Sequence, residues 1–181
     1  MSQPRIAPLD PPYPAEVQAA FDTVMRGAPP LLLFRVVARN PRVLSRMMAG
    51  GLLDRGSISL RQRELMILRT TARCGAEYEW GVHAAAFGAK AAWTPSELRA
   101  SVHGAAEDPA WAPDERLIVR LADALHDAND VDDALWKDLR GAFGDEQLIE
   151  LVMLAGLYHA VSFTLRAFRV PLEPSASRFP A

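Results

Sequence analysis

Residues 61–91, RQRELMILRTTARCGAEYEWGVHAAAFGAKA, decide how the chain reads. Leu60, Glu64, Leu65, Leu68 and Ala72 recur at spacings of three and four, which predicts one helical stripe. Ser59 stands before this run as an N-cap, with Gln62 at the capping-box position. Gly75 interrupts the pattern. A second helix then sets Glu79, His83 and Phe87 four residues apart on one face. Glu64 lies on the side expected to be buried, so its carboxylate needs a partner or a proton, because a bare buried charge costs several kcal/mol or more. In a purely structural role it would pair with an arginine such as Arg69 or Arg73. Glu79 and His83, at i and i+4, can meet. A carboxylate beside an imidazole raises the imidazole pKa and orients the ring, the usual construction of a proton-transfer pair.

Outward from this stretch the chain reads as all-α. Residues 1–13 are proline-rich and are expected to lie along the surface or on a partner subunit. Pro14 suits the first turn of a helix running to about residue 25 and ended by Gly27. The segment PPLLLFRVVARN follows, apolar enough to be buried all round or to sit in an interface. Asn40-Pro41 opens a helix to about residue 49, which Gly50-Gly51 stops. Thr94-Pro95-Ser96-Glu97 is a complete helix start. Further helices are expected over 114–127, to about 140 with Asp132 or Asp133 as cap, and to about 169 with Asp145 as cap, ended by Pro171. The last carries Leu148, Leu151, Val152, Ala155, His159 and Ser162 as its inner stripe. A single domain is expected over 1–170, with 171–181 as a loose tail.

Composition narrows the function classes. The 181 residues, half of them apolar, suffice for one core. A net charge of −2 gives no basic field for nucleic acid or an anionic membrane. The apolar runs read as too short for a membrane span, and the N-terminus lacks the charged start and apolar core of a signal peptide. One cysteine excludes an internal disulfide and fits a reducing cytoplasm.

Each candidate residue has a plain reading beside its functional one. Glu79–His83 could be an ordinary helix-surface pair worth a few tenths of a kcal/mol. Glu64 could serve a structural network as readily as a site. Cys74 is a lone thiol, and small buried cysteines are usually inert packing. Tyr78 and Trp80 flank Glu79 and cannot share its face, so they are expected to pack with their polar tips bonded. His159 is a second inward-facing imidazole. His103 and His126 lie near helix ends, where a cation is favoured by the helix dipole. No third or fourth metal ligand stands at motif spacing, so a metal is not expected.

The order Arg-x-Arg-Glu-Leu-x-Ile-Leu-Arg over 61–69, then Cys-Gly-Ala-Glu-Tyr-Glu-Trp-Gly-Val-His over 74–83, resembles the carboxymuconolactone decarboxylase family of the AhpD-like superfamily. PPLLLFRVVARNPRVL, LADALHD and LAGLYHAVSFTLRAFRVPLEP resemble its longer members. The resemblance implies an AhpD-like helical fold of about eight helices; the apolar helix at Leu31 to Val37 and the N-terminal arm are surplus faces that point to a homo-oligomer (dimer, trimer or hexamer). In the AhpD-type peroxidases the matching stretch carries a glutamate, a Cys-x-x-Cys pair, and a histidine four residues after the second cysteine. Matching that histidine to His83 places Glu79 at the second cysteine, Ala76 at the first and Glu64 at the glutamate. Cys74 falls two residues from the first. Thiol–disulfide cycling needs an attacking and a resolving thiol, so the dithiol route is expected to be missing. The implied activity is that of a lyase on a small carboxylated lactone in aromatic-acid breakdown, with no metal or organic cofactor implied. Glu64, Glu79 and His83 are the expected catalytic residues, and Cys74, Tyr78, Trp80 and His159 the expected pocket. The alternatives are an AhpD-like hydroperoxidase using Cys74 and a non-catalytic small-molecule binder.

Overall fold

The computed structural model describes residues 4–181. Among them are nine helices and no strand, one helix more than the rough count from sequence. They are α1 (Ala15–Met25), α2 (Leu32–Val37), α3 (Pro41–Ala49), α4 (Leu60–Arg73), α5 (Glu77–Phe87), α6 (Pro95–His103), α7 (Pro113–Ala128), α8 (Asp133–Ala142) and α9 (Asp145–Phe168).

The centre is α4. Every residue from Arg63 to Thr71 is buried, because α5, α6, α7 and α9 pack around it. Its start is the expected capping box, Ser59 Oγ accepting from Gln62 N and Gln62 Oε1 from Ser59 N. Its end is a Schellman turn: Ala76 N–H reaches Thr71 O and Gly75 N–H reaches Ala72 O, with Gly75 at φ +61°. A residue with a Cβ is strained there. This tight reversal folds α5 back along α4. Leu65, Met66 and Ile67 join Ile118, Leu121, Leu139, Leu151 and Leu154 in the main core. Each such side chain contributes about 1.5–3 kcal/mol by leaving water. A second core gathers α1, α2 and α3 around Phe21, Leu33, Val36 and Leu44, against Tyr78 and Val161. Asn40, Thr94 and Asp132 cap their helices as expected, whereas the last helix is capped at Gly144 and not Asp145.

Of the two places expected for the arm it takes the first, and the tail departs from its expected behaviour. The arm lies on its own chain: Arg5 N donates to Phe168 O, Leu9 N to Arg35 O, and Ile6, Leu9 and Tyr13 pack on the second core. The expected loose tail is corrected to a docked strap. Ser177 N donates to Gly81 O, Phe179 N to Glu77 Oε1, Pro180 O meets His103 Nε2, and the Phe179 ring stands 5.4 Å from Trp80. The reason is Gly81, where a Cβ would come 2.1 Å from Ser177 O. Gly81→Ala is therefore expected to lift the strap. Limited proteolysis should cut near 172–178 in the variant and spare the parent, and equal cleavage would refute the account.

The sequence reading of α9 also needs correcting. The helix is long and apolar enough, by length and composition, to cross a membrane. Its inner face is nonetheless core, through Leu151, Leu154, Tyr158 and Leu165. Ile149, Met153 and Phe163 stand exposed on the other side.

Candidate active site

Three helices converge on His83. Glu64 from α4 receives Nδ1 at 2.8 Å through Oε2. Tyr158 from α9 places its hydroxyl 2.9 Å from Nε2, and Glu79, one turn back on α5, holds Oε1 3.5 Å from the same nitrogen. The Phe87 ring stacks on the imidazole at 5.4 Å and 28°. Glu64 Oε1 accepts from both Nε and Nη2 of Arg63, at 2.9 and 2.8 Å. Arg63 Nη1 donates to Leu53 O at 2.6 Å, in the connection between α3 and α4. Glu64, Glu79, His83 and Tyr158 are 1, 7, 4 and 3% exposed.

The charges explain the protonation state. Arg63 against two carboxylates leaves a formal charge of +1 − 2 = −1, which a protonated His83 cancels. Burial alone would push the imidazole pKa down. The hydrogen bonds and charges of Glu64 and Glu79 outweigh it and push His83 up to about 9. Burial, then the same two carboxylates, raises the Tyr158 hydroxyl well above the ordinary tyrosine range. Glu79 Oε2 is buried and has no hydrogen-bond partner. Such an orphaned acceptor is costly, and here it sits beside a proton donor.

The candidate residues thus divide. Glu64, Glu79 and His83 come together. The arginine on Glu64 is Arg63, not Arg69 or Arg73: Arg69 forks onto Asp123 at 2.7 and 2.8 Å, and Arg73 pairs with Asp127 and Asp123. Tyr78 is bonded in the second core, its hydroxyl accepting from Leu33 N at 3.0 Å and donating to Glu173 at 2.6 Å. Trp80 Nε1 donates to Ser101 Oγ at 3.0 Å. His159 does not join His83. It lies 3.2 Å, Nε2 to Nδ1, from His126, whose Nδ1 is 3.7 Å from Cys74 Sγ. Burial first, and then Arg73 and His159, lower the His126 pKa; burial pushes the Cys74 thiol up.

Sequence reasoning missed Arg63, Tyr158 and His126. Tyr158 had a signal: a stripe through Leu151, Leu154, Tyr158 and Leu165 is as periodic as the one through Val152 and His159. The surface clefts lie elsewhere, one of about 370 Å³ between α1 and α3 near Val17, Leu44 and Met48, another beside Ser57 and Arg140. The His83 group is an interior cluster, with Glu64, Glu79, His83 and Tyr158 all buried.

Solved structures share this all-α fold, AhpD-like proteins among them. An uncharacterized peroxidase-related protein from Silicibacter sp. TM1040 superposes with a TM-score of 0.82 over 99% of this chain and 100% of its own, at 20% identity. A peroxidase-related protein from Ralstonia eutropha JMP134, described as an alkylhydroperoxidase AhpD core, gives 0.79 over 96% and 95%, at 16% identity. A cysteine-to-alanine variant of the debrominase Bmp8, in complex with 2,3,4-tribromopyrrole, gives 0.76 over 97% and 94%, at 15% identity. At these identities the likeness is one of fold. No curated protein matches in sequence. Residues 41–124 match the model of the carboxymuconolactone decarboxylase family.

Proposed function

We propose that the chain is a lyase of the carboxymuconolactone decarboxylase type, acting on a small carboxylated lactone or a related compound by proton transfer. The observation that carries this reading is the protonated, buried His83 with an unpartnered Glu79 oxygen beside it. Loss of carbon dioxide breaks a carbon–carbon bond and leaves the electron pair on an enolate. Nε2–H of His83 delivers the proton that forms the new C–H bond, and Glu64 holds Nδ1 throughout. The Tyr158 hydroxyl is placed to donate to the enolate oxygen. Substrate reaches the cluster by displacing Leu53, its carboxylate taking the place of the Leu53 carbonyl on Arg63. His83→Gln is expected to lower turnover by roughly 10²–10⁴-fold with the helical circular dichroism retained. The assay is a screen of lactones and carboxylated dienes for carbon dioxide release, and unchanged turnover of an accepted substrate would refute the assignment.

The second reading is a hydroperoxidase, which the 3.7 Å approach of Cys74 to His126 favours. The raised thiol pKa weighs against it, since the thiolate is the nucleophile. Peroxide consumption abolished by Cys74→Ser would support it. Assembly as a homo-oligomer belongs to the same proposal. Its contact surface is the outer face of α9, because the arm and α2 are already used within the chain.

A further inference from the structure

Cys74, His126 and His159 come from three separate elements, the end of α4, α7 and α9. They present one sulfur and two ring nitrogens within 4.8 Å of one another. Zinc bonds of about 2.3 Å to sulfur and about 2.0–2.1 Å to nitrogen, at tetrahedral angles, put ligand atoms about 3.3 Å (N to N) and about 3.6 Å (S to N) apart. Two of the three edges are 3.2 Å, between His126 Nδ1 and His159 Nε2, and 3.7 Å, between His126 Nδ1 and Cys74 Sγ; the third, between Cys74 and His159, is within 4.8 Å.

The surroundings fit ligation as well. His159 Nδ1 lies 2.9 Å from Ala155 O. Donation there fixes the proton on Nδ1 and leaves the Nε2 lone pair pointing into the group, as metal-bound histidines are commonly held. His126 Nδ1 meets that lone pair at 3.2 Å, a distance that an N–H···N hydrogen bond or a cation between the rings can fill. Ser162, one turn beyond His159 and fully buried, sets its hydroxyl beside the Cys74 thiol. It offers a further oxygen to an ion or to its water. Arg73 and Arg166 bring positive charge nearby, Arg73 paired to Asp127 and Asp123 and Arg166 donating to Gly75 O. The three ligand residues are each partly exposed, so an ion has a way in.

We propose that Cys74, His126 and His159 form a binding site for a divalent transition-metal ion, Zn²⁺ foremost, with one coordination position open to solvent. One thiolate and two imidazoles suit Zn²⁺, Co²⁺ and Cu²⁺ and are a poor set for Mg²⁺ or Ca²⁺. Three protein ligands with a vacant fourth position are the arrangement of catalytic rather than structural zinc sites.

The test uses the full chain, stripped with chelator and titrated with Co²⁺ and Zn²⁺ alone. Because Cys74 is the sole cysteine, a sulfur-to-cobalt charge-transfer absorption that saturates at one equivalent identifies its thiolate as a ligand without any substitution. Zn²⁺ should abolish that band, protect the thiol from a disulfide reagent, and raise the melting temperature in a saturable manner. Cys74→Ser and His159→Ala should weaken Zn²⁺ binding at least tenfold, whereas the exposed His103→Ala should leave it unchanged. Cobalt uptake without the sulfur band, or equal affinity in Cys74→Ser and the parent, would overturn the assignment. Mg²⁺ displacing Zn²⁺ at equal concentration would do the same.

Discussion

Glu64→Ala is expected to cost about 3–5 kcal/mol of unfolding free energy, the usual result of removing one partner from a buried ion pair. The carboxylate is 1% exposed and serves two cations at once, Arg63 through Oε1 and His83 through Oε2. Alanine leaves the guanidinium facing an empty space in the interior, with only Leu53 O as acceptor. Glu64→Gln keeps the shape and the acceptor oxygen and should cost less. Urea unfolding followed by circular dichroism measures both; a shift below about 1 kcal/mol for the alanine variant would show that the network is not a stability element.

Stability should also fall as pH rises. His83 is pushed up to about 9 in the folded chain against about 6.5 when unfolded. A raised folded pKa contributes its stabilisation in full below the unfolded value and loses it as pH climbs through the folded one. The window is therefore about pH 6.5 to 9, and the linked loss is about 3 kcal/mol. His83→Gln removes the ionisation, so its profile should be flatter over the same window. If the parent stayed constant from pH 6.5 to 9, the protonated, doubly paired imidazole would be ruled out. The same proton serves the proposed reaction, so turnover should fall with a pKa near that of the stability loss.

The fold was legible because its signals are local. Ser59–Gln62, Asn40-Pro41 and Thr94–Glu97 fix helix starts through bonds three residues long, and the α4 stripe fixes its orientation through a period of 3.6. The pairing of Glu64 with His83 was only half legible. Each stood on an inner face, but nineteen residues and a glycine turn separate them, and their contact is a fact about how two helices lie. The partner of Glu64 was misassigned because spacing favours residues four or more apart on a helix. Arg63, next in sequence, reaches back with a long side chain that no periodic rule describes. The strap was hidden for a related reason: Gly81 reads as a weak point in a helix until Ser177 is seen lying on it. Cys74, His126 and His159 are separated by 52 and 33 residues, and only the packing of α7 and α9 against α4 brings them together.

Tyr158 and His159 are neighbours on α9, yet the first serves His83 and the second serves Cys74 and His126. Neighbouring side chains on a helix point about 100° apart and turn as one body. A small rotation or slide of α9 about its axis must move both contacts together. The helix is thus a common axle for two chemical groups. An ion that held His159 in place would set the distance from Tyr158 to the imidazole on the other side, and by reciprocity the protonation of His83 would be felt as a change in affinity at Cys74.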